Sequence, residues 1–282
     1  MKAPKSLSPI VKIAKYTMAD EVRHKSFIVM FIICAAFVLL IRGCYKGDYM
    51  VNGQWLDAET IAWNISKAAF NIIAAGVMFI AALLSMRIFK RDRDEGMQAC
   101  ILSKPIDRWQ YVTGKLLGLW ALLVLFMFLL HGIIFFIALM NTKAVIPEYL
   151  IASLVCSVNL LFMILAVFLL SLLLPDVVAF LCVMGIGIGS FVAESIYSLS
   201  HSQMMQTMMQ QADNHSESGL TWWKVIYYLW PKLSGTQHWA SSLIGNEASQ
   251  GFGPVHPLIN ILLYCFILGC LLFRRFRKED IV

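Results

Sequence analysis

Charge is what this sequence has least of: only 14% of its 282 residues are Asp, Glu, Lys or Arg, while 59% are hydrophobic. That balance is far more apolar than a soluble domain carries, and it excludes water as the chain's main solvent. Cysteine is sparse and scattered. Of the seven, only Cys44 falls in a predicted outer segment, so no disulfide framework is implied and most serve as small apolar packing residues. There is no phosphate-cradling loop either. The position five before Gly114 is Trp109, and Leu116 follows Lys115 where Ser or Thr is needed, so the chain has no nucleotide site of this type. A His-Glu-x-x-His helix and a paired-Glu motif are both missing, which argues against an intramembrane protease or another enzyme needing converging acid, base or metal groups. No nucleic-acid recognition motif accompanies the basic residues, which are dispersed between apolar runs.

What is present is long hydrophobic runs. The longer ones reach the roughly 20 residues that a helix needs to cross a bilayer. They predict an all-α polytopic membrane protein with six transmembrane helices, at 27–41, 68–86, 116–140, 149–174, 177–197 and 258–273. The first and last runs are short, so they must extend into flanking residues or let Lys25, Arg42 and Arg274 snorkel. A basic start and an apolar stretch also fit a signal peptide. The basic region is long, however, no Ala-x-Ala site follows, and Arg42 spoils the lipoprotein-like box ending at Cys44, so the first run is expected to stay as a span.

Orientation follows from Lys and Arg, which are retained on the cytoplasmic side of short loops. With the N-terminus inside, the inner segments hold 17 of the 23 basic residues. The net charge of +6 is therefore mainly a topology signal, and both termini are expected in the cytoplasm. Before the first span, residues 8–25 open with Ser8 and Pro9. Ile10, Ile13, Thr17, Met18 and Val22 then recur at helical spacing, while Lys12, Lys15 and Asp20 point elsewhere. This predicts an N-terminal amphipathic surface helix.

Between the second and third spans, Arg87 to Lys115 holds eleven charged residues of mixed sign. Met97, Cys100 and Ile101 form a short apolar strip before Pro105 breaks the helix, so a small cytoplasmic helix is expected within 90–108. The outer segment, 198–256, is too short and too apolar for an ordinary separate domain, and it is expected to stay near the membrane. Five Trp or Tyr rings between Trp222 and Trp230 suit an interfacial or re-entrant helix, or a protein-binding surface.

Three features together make the chain resemble the ABC type-2 permeases, the membrane half of ATP-binding-cassette exporters. They are the helix from Ile10 to Arg23, the run Arg93-Asp-Glu95-Gly96, and Leu102-Ser103-Lys104-Pro105-Ile106-Asp107-Arg108-Trp109. The likeness covers nearly the whole chain and is similar to the short permeases of the nitrous-oxide-reductase maturation type, although Met97-Gln98 departs from the Thr-Leu more usual after the Gly. The resemblance implies a permease subunit of the bacterial inner membrane that exports an unidentified substrate. It would pair with a second permease copy, as a homodimer or pseudo-symmetric pair, and with a cytoplasmic ATPase that binds ATP and Mg. This chain would hold no cofactor of its own. Arg93, Glu95, Gly96, Met97, Gln98, Leu102, Ser103, Lys104, Pro105 and Arg108 would form the cytoplasmic coupling helix that receives the ATPase's closure as a rigid-body push. The plainer reading is a solvated charged loop that satisfies topology. A further alternative is a non-transporting scaffold that anchors an extracytoplasmic partner.

Asn71, His131, Asn159 and Glu194 fall inside the spans, where polar groups are costly unless they face protein or a water-filled route. They are candidates for a substrate path, or else bonds between neighbouring helices. Gly114 with Gly118, and Gly185 with Gly189, have the small-xxx-small spacing that permits close helix approach. In the outer segment His201, Met205 and Met209 share a helical face of a kind that suits copper(I). Without fixed ligand spacing, flexible packing by Met204, Met205, Met208 and Met209 is the expectation, and no metal site is assigned.

Overall fold

The computed structural model describes residues 8–46, 50–51, 54–55, 58–103, 106–142, 148–200, 227, 229–244 and 256–278. Among the described residues the regular structure is all helical apart from a short antiparallel pair, β1 (Met50–Val51) with β2 (Gln54–Trp55), in the link after the first span. Helix α1 is Ser8–Arg23 and α2 is Lys25–Leu40, followed by a 3-10 turn over Ile41–Lys46. Then come α3 (Ala58–Asp94), α4 (Met97–Leu102), α5 (Arg108–Thr142), α6 (Glu148–Ser171) and α7 (Asp176–Ser200). Two more follow in the described part, α8 (Leu233–Leu243) and α9 (Pro257–Arg277).

Five helices are long and apolar enough to cross a membrane, those containing Trp63–Asp92, Arg108–Met140, Glu148–Ser171, Asp176–Tyr197 and Pro257–Arg277. The pair α1 and α2, bent by 70° at His24, brings the number to six if it counts as one span. With 16 residues α2 measures about 24 Å, short of a hydrocarbon core of about 30 Å. The 3-10 turn makes up the length, as the short first run requires.

Helix ends differ from the expected ranges because charge does not stop a helix whose charged end is cross-tied by neighbours. The second span is part of a continuous helix of 37 residues that carries on to Asp94, and the third begins at Arg108, eight residues before the apolar run. At the other end of the chain α9 runs from Pro257 to Arg277, with His256 accepting a hydrogen bond from the Leu258 amide at 3.3 Å.

The core is built around α6, which packs against α3, α5, α7, α8 and α9. Phe70, Tyr111, Phe126, Tyr149, Phe168 and Phe276 are its largest fully buried aromatic side chains. Helices α2 and α7 lie at the edge and turn Ile32, Ile33, Phe37, Leu181, Ile188 and Val192 outward, as a lipid-facing surface demands.

The N-terminal helix uses its apolar stripe differently from a helix resting on lipid. Ile10, Ile13, Thr17 and also Glu21 are buried, largely against α5, whereas Val22 is exposed. Gly114 and Gly118 make this possible. A Cβ at Gly114 would stand 2.7 Å from Cβ of Ile13, and one at Gly118 would stand 2.6 Å from the Ala14 carbonyl oxygen. The first glycine pair thus seats α1 on α5. In the second pair, only Gly189 is closely approached, by the Trp230 ring at 2.8 Å from such a Cβ, while Gly185 faces open space.

Candidate functional site

Two groups of polar residues stand out, one at each end of the bundle. At the α4 end, charged side chains tie the helices together crosswise. Arg91 donates to Asp20 at 2.5 Å and to Glu21 at 2.7 Å, joining α3 to α1. One residue on, Asp92 is buried and accepts from Lys115 Nζ at 2.7 Å and from the Tyr111 hydroxyl, joining α3 to α5. Tyr111 and Lys115 lie four residues apart, so they share one face of α5 and reach the same carboxylate. A buried carboxylate survives only with such compensation. Arg108 donates to the Arg277 carbonyl at 3.0 Å, tying α5 to the end of α9, and Lys90 approaches Asp176 at 3.8 Å, tying α3 to α7. On α3 these bonds fall at Lys90, Arg91 and Asp92, within two turns of the start of α4.

Helix α4 projects from this clamp. Gly96, with φ +68°, makes the break after α3 in a backbone region that residues bearing a Cβ rarely adopt. Glu95 and Met97 are exposed, Gln98 is buried, Cys100 is exposed, and Ile101 is half-buried. The Ser103 hydroxyl donates to the Cys100 carbonyl at 2.8 Å, capping the helix end. Most of the predicted apolar strip therefore faces away from the chain's own core. The restart is explicit as well. Asp107 precedes α5, its amide donates to Gln110 Oε1 at 3.1 Å as in one half of a capping box, its carbonyl accepts from the Gln110 amide at 2.9 Å, and its carboxylate accepts from Trp109 Nε1 at 3.2 Å. Among the predicted coupling residues, Lys104 and Pro105 and the side chains of Arg93 and Leu102 lie outside the described residues.

At the opposite end, α8 sits inside the bundle. Leu233 to Gln237 are all buried, although four of these five are polar or Gly. The spans satisfy them. Asn159 donates to the Leu233 carbonyl at 2.9 Å, the Ser234 amide donates to Ser190 Oγ at 3.1 Å, and the Lys232 amide donates to Asn260 Oδ1 at 3.1 Å. Gln237 Nε2 donates to both the Asn71 carbonyl at 2.9 Å and its Oδ1 at 3.1 Å. Tyr227 donates to Glu194 at 3.0 Å, and Lys232 lies 4.6 Å from the Tyr227 ring centre. Asn159 stands 12 residues above the far end of α6, about 18 Å along the axis, so α8 dips into the bundle as a re-entrant helix.

Three of the four polar residues predicted for a substrate path, Asn71, Asn159 and Glu194, thus gather around α8 and its approach, where they bond protein groups. His131 stands apart. It is buried, with Nδ1 2.8 Å from Ser153 Oγ, and its ring stacks on Phe70 at 4.8 Å and meets Tyr149 edge-on. The aromatic stretch from Trp222 to Trp230 is described only at Tyr227, Leu229 and Trp230. The His201, Met204, Met205, Met208 and Met209 cluster lies outside the described residues, and among those described no group of three or more His, Cys, Asp or Glu is placed to hold a metal.

Residue patterns alone missed Asp92, Lys115, Tyr111, Arg91, Asp20 and Glu21 as a network. Flanked by Arg91 and Arg93, Asp92 reads as part of a solvated charged face. The one usable signal was Tyr111 and Lys115 at helical spacing ahead of an apolar run. For α8 the signal was an unusually small, hydroxyl-rich stretch, Ser234-Gly-Thr-Gln, whose Ser234 amide and Gln237 side chain meet Ser190 and Asn71 on two spans.

No curated protein matches this chain. A family model does: the one described as ABC-2 family transporter protein matches residues 11–281, from the fourth residue of α1 to the segment beyond α9. The bundle of long apolar helices, its N-terminal helix seated on α5 and its short helix after α3 all fall within that match. The chain therefore belongs to the ABC-2 transporter family, as a membrane permease of an ATP-binding-cassette transporter.

Proposed function

We propose that this chain is the permease subunit of an exporter powered by a separate cytoplasmic ATPase, and that α4 is where the ATPase pushes. The observation that carries the reading is the placement of α4. It presents Glu95, Met97 and Cys100 to the outside, directly beyond a point where α1, α3, α5, α7 and α9 are cross-tied by side chains. A load applied there reaches several helices at once rather than bending one loop.

In this reading both termini and α4 face the cytoplasm of a bacterium, the protein lies in the inner membrane, and two permease chains stand side by side. The sequence likeness to short permeases that pair with a separate ATPase supports that division of labour. The polar cluster around α8 would lie on the outer side, where it shapes the exit of the path.

The test is Glu95→Lys. An interfacial charge left buried and unpaired costs about 2 to 5 kcal/mol. The variant should insert and unfold like the parent, because Glu95 is exposed in the isolated chain, yet it should lose co-purifying ATPase and substrate-stimulated ATP hydrolysis. Parental hydrolysis and transport would remove α4 as the coupling element.

A further inference from the structure

A groove of about 780 Å³ opens on the side of the bundle at the α4 end, between the α1–α2 bend, α3 and the start of α7. Its lower wall is apolar, formed by Phe27, Met30, Leu83 and Leu84, and its upper rim is charged. The change from apolar to charged falls at one level on all three elements. Lys25 precedes the apolar run of α2, Arg87 follows Met86 on α3, and Asp176 precedes Val177 on α7. Such a shared level marks the membrane boundary, so the groove faces the headgroup zone of one leaflet.

The rim's charges are not equally engaged. Lys90 approaches Asp176, and Arg91 holds Asp20 and Glu21. The side chains of Arg87, Asp94 and Glu95 make no hydrogen bond or ion pair with the described residues. Arg87 and Asp94 lie seven residues apart on α3, two turns and about 10 Å along one face, with the cation nearer the apolar wall and the carboxylate farther out. From the bilayer outward, the groove therefore offers an apolar trough, a guanidinium and then two carboxylates.

We propose that this groove is a binding site for one glycerophospholipid with an amine-bearing headgroup. Its phosphate pairs with Arg87, its ammonium lies toward Asp94, with Glu95 farther out, and one acyl chain runs along Phe27, Met30, Leu83 and Leu84. The order of groups in such a lipid matches the order of charges along the rim. A planar guanidinium recognises phosphate by two parallel hydrogen bonds. A phosphatidylglycerol would satisfy Arg87 but set hydroxyls and its net negative charge against two carboxylates, and a diacylglycerol would fill the trough alone.

Native mass spectrometry of the purified, delipidated full chain, titrated with dioleoyl phosphatidylethanolamine, dioleoyl phosphatidylglycerol or dioleoylglycerol, tests this. The first bound lipid should follow that order of affinity. Arg87→Gln should weaken first-site binding of both phospholipids at least tenfold. Asp94→Asn should lower the affinity for the ethanolamine lipid and raise that for phosphatidylglycerol, so that the two converge. Arg274→Gln, an exposed cation outside the groove, should change neither. If Arg87→Gln does not fold, Leu83→Trp, which fills the trough, must lower first-site occupancy. Parental ethanolamine-lipid binding in either variant, or diacylglycerol binding as tight as the phospholipid, overturns the proposal. So does efficient short-range cross-linking between two chains through Val177→Cys in membranes, since a second copy would then cover the groove.

Discussion

Asp92 illustrates how one side chain can be indispensable without being a net source of stability. It is buried, with Lys115 and Tyr111 as its partners. Removing one member of a buried ion pair leaves an uncompensated charge and costs about 3 to 5 kcal/mol, whereas replacing both by apolar groups of similar size is often neutral. Asp92→Leu should therefore lower the apparent melting temperature of the purified permease sharply. Adding Lys115→Met should recover most of the loss. If the double variant is as unstable as the single one, the carboxylate is needed for a reason other than Lys115. None of this was legible from Asp92 itself, because a carboxylate between two arginines has the same sequence signature in water as in a core. The glycines were more readable: the spacing of Gly114 and Gly118 announced a close approach, and only the identity of the approaching helix, α1, needed the coordinates.

At the level of elements, the spans were legible because bilayer thickness imposes a length and an apolarity that sequence alone can display. Helix α8 was not. It is eleven residues long, rich in Ser, Thr and Gly, and stabilised by bonds to side chains on α3, α6, α7 and α9 that no local pattern encodes. For the same reason the polar residues chosen as a substrate path gave no sign of the segment that Asn71, Asn159 and Glu194 bond. Asn159→Leu should loosen α8, since it deletes the donor to the Leu233 carbonyl. Interhelical hydrogen bonds in membranes are worth about 0.6 to 1.7 kcal/mol, so the protein should still fold. A cysteine placed at buried Thr236 should then react with a membrane-impermeant maleimide several times faster than in the parent background. An unchanged labelling rate would show that Asn159 does not hold α8 in place.

For the whole molecule, the asymmetry of basic residues, 17 against six, predicts an orientation with both termini inside. Reporter fusions should place Gly96 in the cytoplasm and His215 outside. Cytoplasmic labelling of a cysteine at His215 would invert the layout and put α4 beyond the reach of any cytoplasmic ATPase. Whichever way it faces, α3 runs as a single piece of 37 residues, about 55 Å, through a hydrocarbon layer of about 30 Å. Its α4 end is gripped through Lys90, Arg91 and Asp92, and its other half is held by α8 through Asn71. A rod supported in that way behaves as a lever with its fulcrum in the bilayer. A tilt of about 10° displaces each tip by about 5 Å, in opposite directions, without breaking a single hydrogen bond inside the helix. Squeezing the bundle at one membrane face would then spread it at the other by a comparable distance.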